Sequence, residues 1–449
     1  MASHKGLGKK VGRREFLSMA PALALVSQSN VSGKLAVEGG GPVRNSGLHT
    51  DYPGTQFYDD SELTELNGAY NSHSLFRFYG PAVPQKVANF ERELAAFAGS
   101  KYALGVSSGT AALHCALTAL GAGPGDEVIL PAWTWHSCYT AILLTGALPV
   151  FAEVDDSLNI DPADVEARIT ANTKVIMAVH LFGAPADMGR IMKLAQARNL
   201  KVLEDAAQSF GGSYQGRRLG SIGHVGIYSF QIHKLITAGE GGAIVTDDPL
   251  LYERAIRFHD LGILRPVHRT ILSEPQLSFF PGINYRMNEM TGAVMRAQLR
   301  KIETILAAQR RNAKFIRDRI SNLPAIQLKR SHDPAGETGW TIDLLLPDRS
   351  TRDKFVKAMT AENVPMGAPS AATPLPPMPY IVNKAAPHPA WPTFNSKRGR
   401  EIKYGEECCP RTLEICNRTA TLTIGPKFSE ADLNDAVTAI TKVHNAILS

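Results

Sequence analysis

Ser229-Phe-Gln-Ile-His-Lys-Leu-Ile-Thr-Ala-Gly-Glu-Gly-Gly242 is the stretch on which the reading of this chain turns. Lys234 stands there with no other charged residue until Glu240, after a strand-like run from Val225 to Phe230. Gly239, Gly241 and Gly242 close the stretch in a turn able to fold back sharply. Lysine is rarely buried without a reason. Where it is, its amine loses its proton easily and attacks carbonyls, the route to a Schiff base. A surface lysine beside a glycine hairpin looks the same locally, so the surroundings decide.

Moving outward, Leu203-Glu204-Asp205-Ala206-Ala207-Gln208 closes a strand that begins at Lys201. A carboxylate after an apolar run is costly unless paired. Asp205 can cap a helix, or it can sit beside a pyridinium nitrogen and keep it protonated, since an opposite charge in contact moves a pKa by about 1–3. Further back, Ser107-Ser108-Gly109-Thr110-Ala111-Ala112-Leu113-His114 follows the strand-like Tyr102–Val106. A strand, a Ser-Gly-Thr turn and a helix offer free N–H groups and hydroxyls at a positive helix end, a phosphate cradle; ordinary capping by Ser108 is the alternative. Pro131-Ala132-Trp133-Thr134-Trp135 ends the strand between. At most one of its two indoles offers a flat platform to a planar ring, and the other packs a core. Each feature is weak alone. Cradle, platform, aspartate and then a lysine, in that order, form a coherent pyridoxal phosphate site.

The segments around these residues alternate regularly. Apolar runs at Tyr102–Val106, Glu127–Leu130, Leu148–Phe151, Lys174–Val179 and Lys201–Leu203 are separated by helix-like patterns at Thr110–Leu120, His136–Thr145, Pro162–Ile169 and Asp187–Arg198. This predicts an α/β domain with a mostly parallel sheet, its ligands at the carboxyl ends of the strands. A long helical pattern from Asn288 to Ile320 leads out of it. The expected organisation is a leader over 1–36, an irregular arm over 37–84, a large domain over 85–320 and a smaller α+β domain over 321–449. The last is interrupted by the proline-rich Pro365–Pro392 stretch.

Composition narrows the function. The 449 residues are 44% hydrophobic and 20% charged, with a net charge of +6, which describes a soluble multi-domain protein. No apolar run approaches the ~18 residues of a membrane span. No basic stripe interleaved with aromatics suggests nucleic acid. Cys115, Cys138, Cys408, Cys409 and Cys416 are odd in number and lack paired CxxC spacing, so neither a disulfide framework nor a metal site is indicated. Gly121-Ala-Gly123-Pro-Gly125 follows a helix and precedes a strand, the reverse of a nicotinamide-binding fingerprint. Arg13-Arg14-Glu-Phe-Leu-Ser18, followed by the apolar Met19 to Val26, is similar to a bacterial twin-arginine signal, which predicts export to the periplasm or exterior; a plain basic leader would leave the chain in the cytoplasm.

The chain resembles the sugar aminotransferases of the DegT/DnrJ/EryC1/StrS family. The matching stretches are Ser-Gly-Thr-Ala-Ala-Leu-His (108–114), Gly-Pro-Gly-Asp-Glu-Val-Ile (123–129), Val-His-Leu-Phe-Gly-Ala-Pro-Ala-Asp-Met (179–188), Glu-Asp-Ala-Ala-Gln (204–208), 229–242 and Gly-Ile-Asn-Tyr-Arg-Met-Asn-Glu (282–289). The resemblance implies the aspartate aminotransferase fold (type I): a seven-stranded, mostly parallel sheet between helices plus a smaller domain. It also implies pyridoxal 5′-phosphate and a homodimer with active sites at the subunit interface. By position, Lys234 looks like the Schiff-base lysine and Asp205 like the partner of the ring nitrogen. Gln208 looks like a ring contact and Trp135 like the stacking aromatic. Gly109, Thr110 and Ser229 match phosphate ligands, and Asn284 the asparagine lent by a neighbouring subunit. His180 lies in a matching motif without an assigned role. Family donors are glutamate or glutamine; the acceptor is a keto-sugar or, from the form of 229–242, a keto-inositol. Some members carry histidine for the lysine and catalyse dehydration, but the five-residue spacing from Ser229 assigns that position to Lys234 rather than His233. A sugar dehydratase and a non-catalytic regulatory protein are the competing readings. Arg77, Arg286 and the Pro365–Pro392 loop are candidate substrate contacts.

Overall fold

The computed structural model describes residues 33–48, 52–368 and 374–449. The leader expectation through residue 32, and residues 369–373 of the proline-rich stretch, lie outside the described residues.

Seven strands make the large sheet: β1 (Tyr102–Val106), β2 (Glu127–Pro131), β3 (Leu148–Ala152), β4 (Thr173–Val179), β5 (Lys201–Asp205), β8 (Val225–Ser229) and β9 (Gly242–Thr246). Between β5 and β8 a short hairpin pairs β6 (Ser213–Tyr214) with β7 (Arg217–Arg218). The order across the large sheet is β1-β9-β8-β5-β4-β2-β3. The pairs β2/β3, β2/β4, β4/β5 and β5/β8 are parallel, and β9 runs against both its neighbours. β2, β3, β8 and β9 are buried along their whole length, as strands covered on both faces must be, and so they read as apolar runs rather than alternations. The expected seven-stranded, mostly parallel sheet is present.

β9 corrects one detail. The sequence places a glycine turn at 239–242 and stops there, yet Gly242 is the first residue of β9, paired with both Val106 and Ser229. A side chain at Gly242 would come within 2.3 Å of the Ser108 carbonyl oxygen, so the glycine lets the strand pass the turn above it. The antiparallel return leaves 230–241 as a loop at the carboxyl end of β8, and this loop carries Lys234.

A second sheet, β10 (Gln327–Leu328), β11 (Thr341–Leu345) and β12 (Thr419–Thr423), is antiparallel throughout. The 32-residue helix Glu289–Ile320 joins the two units. Its Ile302, Ile305 and Leu306 belong to the large core, while Ala313, Ile316 and Ile320 belong to the core behind the small sheet.

Two segments depart from expectation. The arm is not irregular throughout: α1 (Asp60–Tyr70) begins with a capping box in which Asp59 and Glu62 satisfy each other's backbone N–H groups. Ahead of it, Leu35 and Leu48 pack into the small core, and buried Glu362 accepts the N–H groups of Ala36 and Val43 (2.9 Å each). After residue 374 the chain returns to the large unit. Leu375 N–H donates to Ala132 O (2.8 Å), Trp391 Nε1 to Leu143 O (2.7 Å) and the Tyr404 hydroxyl to Pro149 O (2.8 Å). Residues 321–449 thus serve both cores: Leu375, Ile381, Ile402 and Tyr404 belong to the large one.

Candidate active site

The candidate residues converge at the carboxyl ends of adjacent strands. Asp205 is the last residue of β5 and Ser229 the last of β8, its parallel neighbour. His180 follows β4 on the other side of β5, and its N–H donates to the Asp205 carbonyl (3.0 Å).

Asp205 is buried, and both carboxylate oxygens are held: Ala207 N–H donates to Oδ1 (2.9 Å) and the Cys138 thiol to Oδ2 (3.2 Å). Cys138 lies in α4 (His136–Thr145), three residues after Trp135, and burial first, then the Asp205 charge, pushes its thiol well up. It therefore stays protonated and serves as a donor. Nothing in the sequence marked Cys138 for this part.

Lys234 as a residue is half-buried, but its amine end is enclosed, and burial pulls its pKa down from 10.5 while Asp205 and Cys138 push the other way. The net effect is an amine readier to lose its proton than an ordinary lysine. It shares a small pocket with Ala207, Gln208, Phe210, Leu235 and Trp340, and lies 5.8 Å from the Trp340 ring centroid. The neighbouring His233 is exposed and leans on the Tyr52 ring (5.1 Å). The Gln208 Oε1 accepts the N–H of Phe182 (3.1 Å), which leaves its amide NH₂ as a donor.

α3 (Gly109–Ala119) begins at the candidate cradle. Ser108 caps it, its hydroxyl accepting from Ala111 N–H (3.0 Å), so the capping reading of that turn holds and leaves room for the other. The cap does not use the N–H groups of Gly109 and Thr110. A side chain at Gly109 would meet Ser229 Cβ at 2.7 Å and Oγ at 2.9 Å; the glycine keeps open the space between helix end and hydroxyl. The Thr110 hydroxyl donates to Ser137 Oγ (3.0 Å).

Trp135 and Trp133 do part. Trp133 is buried edge-on against Phe182 (5.6 Å, 82°), and Trp135 is 53% exposed at the start of α4, beside the His136 ring. Asn284 is exposed, its amide oxygen taking Arg286 N–H (3.4 Å), and no contact joins it to Lys234, Asp205 or Ser229 among the described residues. Arg77 and Arg286 are both already paired with carboxylates. Arg77 is buried against Glu91 (2.6 Å) and Arg286 pairs with Asp260 (2.5 Å). His180 is a strut: its Nδ1 accepts Ala186 N–H (3.1 Å) and Nε2 meets Glu204 (3.0 Å).

Pyridoxal phosphate fits these groups. Among the described residues the N–H groups of Gly109 and Thr110 have no hydrogen-bond partner, so with nearby hydroxyls they can receive a dianion at a positive helix end, and the charge of a carboxylate already held at both oxygens acts on an enclosed amine. The fold and this donor set define a pyridoxal phosphate-dependent transferase. Residues 59–441 match the DegT/DnrJ/EryC1/StrS aminotransferase family, and the chain belongs to it. It is 37% identical over 270 residues to the GDP-perosamine synthase of Escherichia coli O157:H7, covering 60% of this chain and 72% of that one. Among solved structures, 3-amino-5-hydroxybenzoic acid synthase is 28% identical with a TM-score of 0.72, covering 90% of this chain and 99% of that one. DesI, solved in the presence of its TDP-sugar product, is 26% identical with a TM-score of 0.71, covering 91% and 95%. The chain is an aminotransferase.

Proposed function

We propose that this aminotransferase moves an amino group from glutamate or glutamine to a keto-sugar, with Lys234 and Asp205 as its catalytic residues. The observation that carries the reading is the enclosed, easily deprotonated amine of Lys234 acting with buried Asp205. Bound pyridoxal phosphate supplies a carbonyl to take the amino group and a ring to take up the electrons of the broken C–H bond. Gly109, Thr110 and Ser229 would anchor the phosphate, Trp135 would cover the ring, and Gln208 would offer it the NH₂ group. Asp205, its own oxygens fixed by Ala207 and Cys138, would keep the ring nitrogen protonated. With the cofactor bound, the Lys234 amine would be the base that takes the proton from the donor's α-carbon and the acid that later returns a proton to carbon, in either direction of transfer.

The names of the sugar-handling relatives support a keto-sugar acceptor; a keto-inositol is the alternative carried by the form of 229–242. A homodimer is part of the proposal. Asn284 is exposed beside Ile283 and Phe279, the latter 69% exposed, so the loop is open to a second copy whose phosphate cradle Asn284 would complete. Export of the folded enzyme is supported by Arg13-Arg14 and the apolar run after them. Dehydration is disfavoured because Lys234, not His233, enters the pocket.

The test is the visible spectrum of the loaded protein before and after glutamate or glutamine, beside Lys234→Ala, with product analysis on keto-sugar and keto-inositol. Bleaching by the donor, absence of the lysine-linked band in the variant, and an amino product are expected. A deoxy product with released ammonia would overturn transfer in favour of elimination.

A further inference from the structure

The loop Leu181–Gly183 and the segment 336–340 meet beside Lys234. Phe182 holds φ 52° and ψ 37°, a left-handed backbone that non-glycine residues rarely adopt. The loop is fixed because its polar groups are engaged. Leu181 N–H donates to Asn159 Oδ1 (2.9 Å), Phe182 N–H to Gln208 Oε1 (3.1 Å), and the Gly183 carbonyl accepts Thr338 N–H (2.8 Å). Gly183 sits at φ +81°, and a side chain there would stand 2.3 Å from Thr338 Oγ1 and 3.0 Å from Trp340 Cβ. Glycine alone lets the two backbones touch.

The segment is also gripped elsewhere. Ser213 N–H donates to the Gly336 carbonyl (2.9 Å) and Ile424 N–H to the Trp340 carbonyl (2.9 Å). Gly339, at φ +76°, lies so close to the helix Glu289–Ile320 that an added Cβ would be 3.0 Å from Ala313 Cβ. Trp340 is thus placed by backbone contacts on several sides, and its indole ends in the pocket that holds the Lys234 amine.

We infer that Trp340, carried in by the small sheet, is a positioning residue that walls the Lys234 amine off from water, and that the Gly183–Thr338 contact sets it there. This rests on the reading of Lys234 as the reactive amine. Removing the indole admits water, and the amine's hold on its proton rises toward that of an ordinary lysine. The attraction of the ring for an ammonium 5.8 Å away lies at the limit of such contacts, so the gain in hydration dominates. The titratable groups acting on the amine, Asp205 and Cys138, both favour its charged form and stay in place in every variant.

Only the free amine attacks the aldehyde carbon of pyridoxal phosphate, with water as the leaving group. The rate at which apoprotein develops the visible lysine-linked band, followed against pH, therefore reports on that amine without any turnover. Trp340→Ala is expected to move the midpoint up by about one pH unit, roughly a tenfold slower loading at neutral pH. Trp340→Phe, which keeps an aromatic wall, should stay near the wild-type midpoint, and Gly183→Ala should follow Trp340→Ala. If Gly183→Ala does not fold, the two Trp340 variants decide alone. A Trp340→Ala midpoint equal to wild type overturns the inference while leaving Lys234 in its role. A wild-type protein that forms no band overturns both.

Discussion

Gly109→Ala separates binding from folding. The added methyl would stand 2.7 Å from Ser229 Cβ, 2.9 Å from its Oγ and 3.4 Å from its Cα. Two Cβ atoms cannot rotate out of each other's way, so helix end or strand end must shift, and the methyl takes up space beside the Ser229 hydroxyl. Folding itself should survive, because Gly109 is the first residue of α3 and alanine is favoured over glycine in helices by up to ~1 kcal/mol. The cofactor should not be spared. A hydrogen bond to a charged group is worth about 1.5–3 kcal/mol, so losing one at the phosphate weakens binding roughly 10- to 150-fold. The assay is titration of apoprotein with pyridoxal phosphate and, in parallel, with pyridoxal, which lacks the phosphate. In the wild type the phosphate compound should bind far more tightly; in Gly109→Ala most of that preference should vanish, while the variant still unfolds cooperatively, at a melting temperature lowered by the shift the clash forces. A variant that keeps the full preference would refute the cradle and leave α3 an ordinary capped helix.

Asp205→Asn keeps the size of the side chain but not its charge. kcat/KM should fall roughly 10- to 1,000-fold, from the loss of an opposite charge at the ring nitrogen, and a cofactor methylated at that nitrogen should restore part of it. An unchanged rate would remove Asp205 from the mechanism. His114 gives a pH prediction away from the chemistry. Burial lowers its pKa from 6.5 to about 4, so below pH 6.5 the unfolded chain takes up a proton that the folded chain refuses. Its contribution is complete above pH 6.5 and drains away down to about pH 4, a loss of about 2 kcal/mol between pH 7 and pH 5. Denaturant midpoints of wild type and His114→Phe at both pH values check this: the variant should lose less on acidification, and equal losses would contradict the burial argument.

The large unit was legible because its strands are buried on both faces and its chemistry sits where they end. Apolar runs gave the strands, and charged or small polar residues just beyond them gave Asp205, Ser229 and Gly109. What escaped has physical reasons. β9 begins at the second of two glycines, so its first residues were absorbed into the turn that precedes it. α1 shows no apolar stripe because its buried face is largely acidic. Glu62 pairs with Lys301 (2.6 Å), and Glu65 with Lys86 (2.6 Å), Arg296 (3.2 Å) and Arg300 (2.7 Å), while Leu63 and Tyr70 lie exposed. Hydrophobic periodicity cannot register a helix held by charges. Its capping box, Asp59-x-x-Glu62, was the one local signal.

The site divides the same way. Lys234 and His233 are neighbours in sequence, and only spacing from Ser229 favoured the lysine; the loop then turns one inward and the other toward Tyr52. Cys138 was read only as an unpaired cysteine, because a thiol's value as a donor appears once Asp205 lies 3.2 Å away. Trp340 carries no local mark at all, since a tryptophan opening an apolar strand reads as core. It reaches Lys234 through pairings that no window of sequence contains: β11 with β12, and Thr338 with Gly183. The lysine's surroundings are therefore shared between units. Strands of the large sheet supply the carboxylate and the cradle, while the docking of the small sheet supplies the wall that keeps water from the amine. A change in that docking should alter how readily Lys234 loses its proton even when every residue of the large unit stays in place.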